Sequence, residues 1–287
     1  MDWIKRMNDA IAYIEENLDG EIDYQQLAKR ANCSAYHFQR VFSYMANTSL
    51  AEYIRRRRLT LAAFDLQNSG MKVIDAAVKY GYESPTAFTR AFQAFHSMTP
   101  SEAKDTNKPF ASYPPITFQI TVKGVAVMNY RIENKEEIRI AGLKLTTTME
   151  GGQNLRDISG AWAECHQSGQ IGKIAALINK PPFGLLGVCV MPPSGGPEFD
   201  YYIAAPTDRP VPEGMAEYVL PASQYAIFEC VGPMPTAIQE LSQRIFTEWL
   251  PSSGYEYGGA ADIEVYSDGD TSAKDYKSEV WVPIVKK

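Results

Sequence analysis

The fold of the N-terminal part is decided by a nine-residue stretch that occurs twice, as SAYHFQRVF at residues 34–42 and as SPTAFTRAF at residues 84–92. Both copies read Ser-x-x-x-Phe-x-Arg-x-Phe, with an offset of 50 residues. Serine is a preferred N-cap residue, and two phenylalanines four positions apart lie on one face of a helix. The repeat therefore predicts two equivalent amphipathic helices, each opened by a serine.

Further helices are predicted around the two copies. Asp23 and Gln26 resemble a capping box that opens a short helix before the first copy. A long helix is expected from about Ser49 to Asn68, and a short one around Val73–Lys79. The residues expected to point inward from the long helix are Tyr53, Ile54, Leu61 and Phe64. Two helix-turn-helix units joined by one long helix produce this pattern, and a plain helical bundle is the alternative.

The charge of the chain is distributed unevenly. Its 287 residues suggest about two domains, and its net charge is −6. Residues 1–108 contain 14 Lys or Arg and 13 Asp or Glu, a net charge of +1; residues 109–287 contain 14 and 21, a net charge of −7. Because phosphates attract basic surfaces, only the first part is a candidate for binding nucleic acid.

The sequence gives no indication of export or membrane insertion. Its longest apolar stretch, near Phe183–Met191, is shorter than the roughly 20 residues that a membrane span needs. The first residues, MDWIKRMNDA, lack the apolar region of a signal peptide. The four cysteines lie far apart without a C-x-x-C spacing: Cys33, Cys165, Cys189 and Cys230. We therefore expect a cytoplasmic protein with free thiols, without a membrane partner and without a metal site.

The pattern changes after residues 106–118, TNKPFASYPPITF, which contain three prolines and are predicted to be a linker. Strands are expected at Glu137–Thr147, Phe183–Val190, Phe199–Ala204, Met215–Val231, Ile263–Tyr266 and Ser278–Ile284. Two amphipathic helices are expected between them, near Leu155–Ser168 and Thr236–Leu250. The order strand, helix, strand, strand thus occurs twice.

These patterns predict an architecture of two domains. Residues 1–105 form an N-terminal all-α double helix-turn-helix domain. Residues 119–287 form a C-terminal α+β domain of two duplicated strand-helix-strand-strand modules, with two sheets that face a shared cleft. A cleft between repeats is a favoured place for a ligand.

The outward faces of the two repeated helices carry side chains that read DNA bases. The first face presents Tyr36, His37, Gln39 and Arg40, and the second presents Pro85, Thr86, Thr89 and Arg90. Arginine binds guanine and glutamine binds adenine through paired hydrogen bonds in the major groove. A solvated helix face is the alternative for any single residue, but two matching faces favour DNA. The four arginines at residues 55–58 surround their helix, so we expect one or two phosphate contacts and ion pairs for the rest.

YGYESPTAFTRAFQAFHSMTP (Tyr80–Pro100) resembles the signature of the arabinose-operon-regulator (AraC/XylS) family of transcription factors. Residues 5–104 resemble its double helix-turn-helix domain, especially that of the monomeric antibiotic- and superoxide-resistance activators. The resemblance implies double-stranded DNA and RNA polymerase as partners. It places Tyr36, Gln39, Arg40, Thr86, Thr89 and Arg90 at base-contacting positions. Asn47 and Ser97 stand where the family usually has glycine.

The second part resembles the effector-binding domain of the gyrase inhibitor (GyrI-like) and of several multidrug-sensing regulators. The similar motifs are SQYAIFECVGP (Ser223–Pro233), TEWLPSSGYE (Thr247–Glu256), IEVY (Ile263–Tyr266) and SEVWVPI (Ser278–Ile284). The resemblance implies that acidic and aromatic side chains of the last two strands line the cleft. In this sequence they are Glu264, Glu279 and Trp281.

Strand alternation by itself places Glu279 and Trp281 on one face, with Val280 and Val282 on the other. A carboxylate among aromatic rings suits a small, apolar and cationic effector. Further walls of this site are expected from Tyr202, Phe183 and Trp162. The alternative is that Glu279 is an exposed strand residue and that the aromatic residues belong to the core.

No motif for catalysis is present. Of the three histidines, only His166 shares a domain with candidate acids, and no G-x-S-x-G motif occurs. Glu264 and Glu279 could form an acid–base pair, which leaves hydrolysis open as an alternative. We expect no enzyme, no cofactor and no metal, but a sequence-specific transcription regulator controlled by a small effector. The alternatives are a ligand-binding or hydrolytic domain, or a protein-binding module, for which DNA binding is secondary.

Overall fold

The computed structural model describes residues 3–119, 127–148, 152–191 and 198–287. The chain divides into two compact units. The first comprises Met1–Phe38 and Ala46–Ile120, and the second comprises Gln39–Met45 and Thr121–Lys287.

The N-terminal residues are helical, as predicted. The helices are α1 (Trp3–Glu16), α2 (Tyr24–Ala31), α3 (Ala35–Ala46), α4 (Leu50–Asn68), α5 (Val73–Lys79) and α6 (Pro85–His96), followed by a 3-10 turn at Glu102–Lys104. Side-chain N-caps open four of them, with Asp23, Ser34, Ser49 and Ser84 as the capping residues. The repeated nonapeptides are therefore α3 and α6, each with its serine cap.

The residues after α3 and α6 adopt the same unusual backbone conformation. Asn47 has φ 50° and Ser97 has φ 58°, both in the left-handed region. Asparagine enters this region more readily than most residues, whereas serine does so less often. Ser97 nevertheless ends α6, and its N–H donates to the carbonyl of Gln93 at 2.9 Å. The two turns are therefore equivalent although neither contains the family's glycine.

The repeated phenylalanines are core residues, and Phe88 and Phe92 belong to the buried apolar cluster of the helical part. Phe38, Phe42, Phe88 and Phe92 are all fully buried. Tyr53 and Ile54 of α4 are buried as predicted, and Leu61 is half-buried. The prediction for Phe64 is wrong, since its side chain is 48% exposed. Its ring contacts Phe110, at 5.0 Å between centroids, instead of the core between the helices.

The second unit contains nine strands and several helices within the described residues. The strands are β1 (Tyr130–Lys135), β2 (Ile138–Thr148), β3 (Leu185–Val190), β4 (Glu198–Pro206), β5 (Ala216–Leu220), β6 (Ser223–Val231), β7 (Tyr255–Tyr257), β8 (Asp262–Tyr266) and β9 (Lys277–Lys286). The helices are α7 (Gln153–Gln167), α8 (Gln170–Ala175) and α9 (Thr236–Arg244), and α9 continues through a π-helical turn (Ile245–Trp249) into Leu250–Ser252. Sequence patterns missed the short elements β1, β7 and α8. The single strand expected at Met215–Val231 is wrong, since this segment forms the two strands β5 and β6.

All strands except β7 lie on one path, in the order β1-β6-β9-β8-β3-β4-β2-β5, and β7 pairs with β9. Within each predicted module the third strand lies between the first and the second, as β2-β4-β3 and as β6-β9-β8. The duplication is therefore confirmed. The expectation of two separate sheets is wrong, because β3 pairs with β8 and joins the modules into one sheet.

The two faces of this sheet have different surroundings. One face carries a buried apolar cluster that includes Val188, Ile263 and Trp281. The opposite face is covered by helices, since Trp249 packs on Phe228 at 4.9 Å and Trp162 packs on Tyr266 at 5.0 Å. This second face is called the helical face below.

Candidate functional site

The outward side of α6 is accessible and carries the predicted base-reading residues. Thr86 and Arg90 are exposed, and Thr89 is half-buried with its hydroxyl bonded to the Pro85 carbonyl at 2.8 Å. Because Phe88 and Phe92 fix the opposite side in the core, the three residues point outward together. A major groove admits a helix that presents side chains in this way.

The corresponding side of α3 is less accessible. Gln39 is half-buried, whereas Tyr36 and Arg40 are only 6% and 8% exposed and His37 is buried as well. The Arg40 guanidinium pairs with the carboxylate of Asp262, a residue of the same compact unit, and lies 5.1 Å from the ring centre of Phe246. The prediction that α3 presents an exposed face is wrong for this structure. The base-reading role of its residues stays a prediction.

The four consecutive arginines of α4 all have partners inside the helical part. Arg55 and Arg56 pair with Glu52 at 2.8 and 2.5 Å. Arg57 pairs with Glu15 at 2.7 Å, and Arg58 donates to the carbonyls of Leu18 and Gly20. The side chains of Arg55 and Arg56 are about two-fifths exposed, at 43% and 39%, so they remain accessible to a phosphate. The expected ion pairs are therefore present for Arg55, Arg56 and Arg57, and the one or two phosphate contacts stay a prediction.

In the second unit, the register of the strands separates the residues predicted for one effector site. Residues that pair across antiparallel strands point to the same face. Glu264 pairs with Val280, whereas Trp281 pairs with Ile263 of the apolar cluster. Glu279 and Trp281 therefore share a face, as predicted, but it is the face opposite to Glu264. The expectation that all three line one cleft is wrong.

The face opposite to Glu264 contains a network whose members satisfy one another. Glu279 accepts a hydrogen bond from the Trp281 indole at 2.7 Å and pairs with Arg131 at 2.8 Å. The ammonium group of Lys135 lies 4.7 Å from the ring centre of Trp281, which is 2% exposed. Tyr202 is also buried on this face and packs against Tyr218 at 5.7 Å. Trp281 and Tyr202 are therefore core residues, whereas Glu279 is partly exposed and is held by Trp281 and Arg131.

Glu264 lies on the helical face, among three aromatic side chains. Its Oε2 accepts a hydrogen bond from the Tyr266 hydroxyl at 2.8 Å, and the Tyr201 hydroxyl also bonds to this carboxyl group. The Trp162 indole donates to the Tyr201 hydroxyl at 3.0 Å. Of the further walls predicted, Trp162 is therefore placed beside Glu264. Phe183 is 73% exposed in the loop before β3.

The space beside Glu264 depends on a glycine in the next strand. Gly187 pairs with Glu264, and a Cβ at this position would lie 2.3 Å from the Tyr201 hydroxyl and 3.0 Å from Oε2 of Glu264. Only a residue without a side chain leaves room for this contact. Sequence reasoning missed Gly187, Tyr201 and Tyr266. Period-two alternation in IEVY would have placed Tyr266 beside Glu264, but nothing local distinguished Tyr201 from Tyr202.

The environment of Glu264 disfavours its charged form. Burial raises the pKa of the Glu264 carboxyl group, and the hydrogen bond from Tyr266 opposes this rise. Burial and the neighbouring carboxyl group raise the pKa of both tyrosine hydroxyls, so they remain donors at neutral pH. A cation near Glu264 would favour its ionised form. Within the described residues, no group of three or more His, Cys, Asp or Glu side chains could hold a metal ion.

Two family profiles match the chain, one in each part. Residues 27–106 match a family described as a helix-turn-helix domain, and residues 131–284 match one described as integron-associated effector binding protein. In the part of the chain that the structure describes, no helix has the length and apolar character needed to cross a membrane.

Similar proteins include regulators that match the N-terminal part. The regulatory protein SoxS of Escherichia coli K12 is 36% identical over 102 residues, which are 36% of this chain and 95% of SoxS. The transcriptional activator AarP of Providencia stuartii is 36% identical over 95 residues, which are 33% of this chain and 70% of AarP. These relatives are transcriptional regulators, not enzymes.

A solved structure is similar to the C-terminal part. The structure of SAV2435 bound to tetraphenylphosphonium superposes with a TM-score of 0.50 and 28% identity, over 55% of this chain and 94% of that chain. Fold and matches together define a transcription regulator with a DNA-binding helix-turn-helix part and a GyrI-like part. The chain belongs to the AraC-type regulators, and its second unit belongs to the family of integron-associated effector binding proteins.

Proposed function

We propose that this regulator reads DNA with α6 and α3 and that a small apolar cation, bound at Glu264, controls it. The observation that carries the effector site is the half-buried Glu264 carboxyl group among Tyr201, Tyr266 and Trp162. A carboxylate pairs with a cation, and aromatic faces attract a cation by about 0.5–2 kcal/mol each. SAV2435, by the name of its structure, binds the lipophilic cation tetraphenylphosphonium.

The proposed DNA surface consists of Thr86, Thr89 and Arg90 on α6 together with Tyr36, Gln39 and Arg40 on α3. Two reading helices of such a repeat typically enter successive major-groove segments about one helical turn apart, near 34 Å. Because Tyr36 and Arg40 are buried in this structure, the proposal requires that they become accessible on DNA. Residues of α6 need no such change.

The proposal also covers the direction of control, the protein partner and the cellular compartment of the regulator. AarP is by name a transcriptional activator, and we assign the same direction of control to this chain, with RNA polymerase as the protein partner. The assigned compartment is the cytoplasm, where free cysteines persist. Within the described residues, Cys33, Cys165, Cys189 and Cys230 form no disulfide bond.

Selection of bound sites from random duplex DNA tests the DNA part of the proposal, with the full chain as the selecting protein. We expect an enriched motif of two halves about one helical turn apart. The affinity should fall with salt, with a log–log slope of about −0.9 for each phosphate contact. Absence of any enriched sequence would overturn the proposed DNA-reading surface.

Titration with tetraphenylphosphonium tests the effector part, with tryptophan fluorescence as the readout. Glu264→Gln removes the charge and keeps the shape, so we expect the affinity to fall at least tenfold. Glu279→Gln is the matched control, since it makes the same chemical change on the opposite face of the sheet. Equal losses in both variants, or a loss in Glu279→Gln alone, would contradict the site at Glu264.

A further inference from the structure

The segment predicted to be a linker is fastened to the helical part. Residues 110–118, called the strap below, run along α1 and α4 without regular secondary structure. At one end, Phe118 exchanges two hydrogen bonds with the Asn8 side chain, at 2.8 and 3.0 Å. At the other end, the Phe110 ring lies 5.0 Å from Phe64 and 5.8 Å from His96. The strap is therefore part of the first unit and not a free connection.

The middle of the strap is held by side chains of α4. The Tyr113 N–H donates to the Thr60 hydroxyl at 3.0 Å, and the Tyr113 carbonyl accepts from Arg57 at 2.5 Å. The Ile116 N–H donates to the Tyr53 hydroxyl at 3.2 Å. Three backbone N–H groups of the strap thus depend on side chains of other elements. Each of these hydrogen bonds contributes only about 0.5–1.5 kcal/mol to stability, so the strap can detach and reattach.

These contacts join the strap to a buried ion pair. Arg57 is paired with Glu15 of α1, and the Tyr53 hydroxyl donates to the same carboxylate at 2.6 Å. Release of the strap would remove the Tyr113 carbonyl from Arg57, whose side chain is only 8% exposed. A buried donor without a partner is unfavourable. The strap is therefore expected to be either attached or released, with few intermediate positions.

The position of the strap relates it to DNA reading. Its contacts on α4 extend from Tyr53 to Phe64, a length of about 17 Å at 1.5 Å per residue. α4 follows α3 directly in the chain and is followed by α5 and α6, so it joins the two helix-turn-helix units. The strap also lies between the two family matches, which end at residue 106 and begin at residue 131. It is thus an addition to the helix-turn-helix part at the place where the chain continues into the second unit.

We propose that the strap is a regulatory element: its attachment to α1 and α4 sets the geometry of the two reading helices, and the second unit acts on DNA binding by attaching or releasing it. This inference rests on the proposed function. Coupling of this kind is reciprocal. If the state of the strap changes the affinity for DNA, bound DNA must in turn change the equilibrium between the attached and the released strap.

Hydrogen exchange of the full chain tests the proposal without any substitution. The readout is the exchange rate of the N–H groups of Tyr113, Ile116 and Phe118, measured alone and with the selected duplex. We expect the duplex to change these rates at least tenfold, and saturating tetraphenylphosphonium to change them as well. Rates that the duplex leaves within twofold would overturn the coupling to DNA. Bound tetraphenylphosphonium that leaves them within twofold would overturn the control by the second unit.

Two variants of the full chain provide an independent measurement. Asn8→Ala removes the side chain that exchanges hydrogen bonds with Phe118, and Tyr113→Ala removes the ring that packs against Tyr53, 6.0 Å between centroids, and against the Arg56 guanidinium at 5.3 Å. We expect each variant to change the Kd for the selected duplex at least fivefold. Asn68→Ala is the control, because its amide bonds to the Phe64 carbonyl of its own helix. Variants that stay within twofold of the unchanged chain would overturn the inference. Failure of the unchanged chain to bind any duplex would instead overturn the proposed function.

Discussion

The hydroxyl group of Tyr266 donates a hydrogen bond of 2.8 Å to Oε2 of Glu264, two positions earlier on the same strand. The Trp162 ring packs edge-to-face against the Tyr266 ring, and the Trp162 indole donates a hydrogen bond to the Tyr201 hydroxyl. These contacts complete the surroundings of the Glu264 carboxyl group. Acid and rings are therefore held in position before a ligand arrives. Such preorganisation reduces the entropy that a ligand loses when it binds.

Gly187→Ala should close the candidate effector site. The new Cβ would lie 2.3 Å from the Tyr201 hydroxyl, so this buried ring must move away from Glu264. We expect tetraphenylphosphonium affinity to fall at least tenfold and the free energy of unfolding to fall by about 1–3 kcal/mol. Gly172→Ala in α8 is the control, since nothing lies within 4 Å of its Cβ position. Unchanged affinity in Gly187→Ala would show that the ligand binds elsewhere.

Tyr201→Phe should weaken the same site by a different route. The variant keeps the ring and removes the hydroxyl that links the Trp162 indole to the Glu264 carboxyl group. A buried donor left without a partner costs about 1–3 kcal/mol, which should lower the midpoint of urea denaturation of the second unit. Cation affinity should fall as well. Tyr202→Phe, on the opposite face, should leave cation affinity within twofold.

Arg57 and Arg55 should differ in their effect on stability although they are two positions apart. Arg57→Ala removes the partly buried ion-pair partner of Glu15, and we expect a loss of about 1.5–3 kcal/mol in the free energy of unfolding of the helical part. Arg55→Ala removes an exposed pair with Glu52 and should cost about 0–1 kcal/mol. Urea denaturation followed by helical circular dichroism measures both. Similar losses would contradict the structural role of Arg57.

The stability of the helical part should fall in mild acid because of His96. The His96 ring is buried against Phe92 and Phe95, its Nε2 lies 3.0 Å from the Leu59 carbonyl oxygen, and burial lowers its pKa. Below about pH 6.5 the histidine of the unfolded chain takes up a proton that the folded chain resists. The contribution of neutral His96 to the free energy of unfolding is therefore complete above about pH 6.5. It is lost as the pH falls through the lower pKa that His96 has in the folded chain.

Urea midpoints between pH 8 and pH 5 measure this dependence. We expect the midpoint of the unchanged chain to decrease toward pH 5, and His96→Gln to decrease less steeply even though it starts from a lower stability. Gln167→Ala, at an exposed position at the end of α7, changes no titratable group and should keep the slope of the unchanged chain. Equal slopes for all three proteins would remove His96 as the cause.

Arg90→Ala should change the sequence preference of the regulator and not only its affinity. Arg90 is exposed on the outward side of α6, where a guanidinium group can bind both acceptors of a guanine. We expect a loss of about 1–3 kcal/mol at particular base pairs, measured by comparing single-base variants of the selected duplex. Gln167→Ala, exposed at the end of α7, should leave the preference unchanged. A uniform loss over all duplexes would indicate a phosphate contact.

The sequence by itself determined the elements and their duplication. Serine caps and phenylalanines at helical spacing are local signals, and they placed α3, α4 and α6 correctly. Period-two alternation likewise showed that Glu279 and Trp281 share a face. These features depend on neighbours within a few residues of the same chain segment, which is why pattern and structure agree.

Only the tertiary structure decided which faces and segments meet. Strand register placed Glu264 with Tyr201 and Gly187 and separated it from Glu279, because a shift of one residue in pairing moves every side chain to the other face. The proline-containing segment before the second unit is likewise attached to α4 through Arg57 and Thr60, side chains more than 50 residues earlier in the sequence. Contacts between distant segments depend on packing of the whole unit, and no local pattern encodes them.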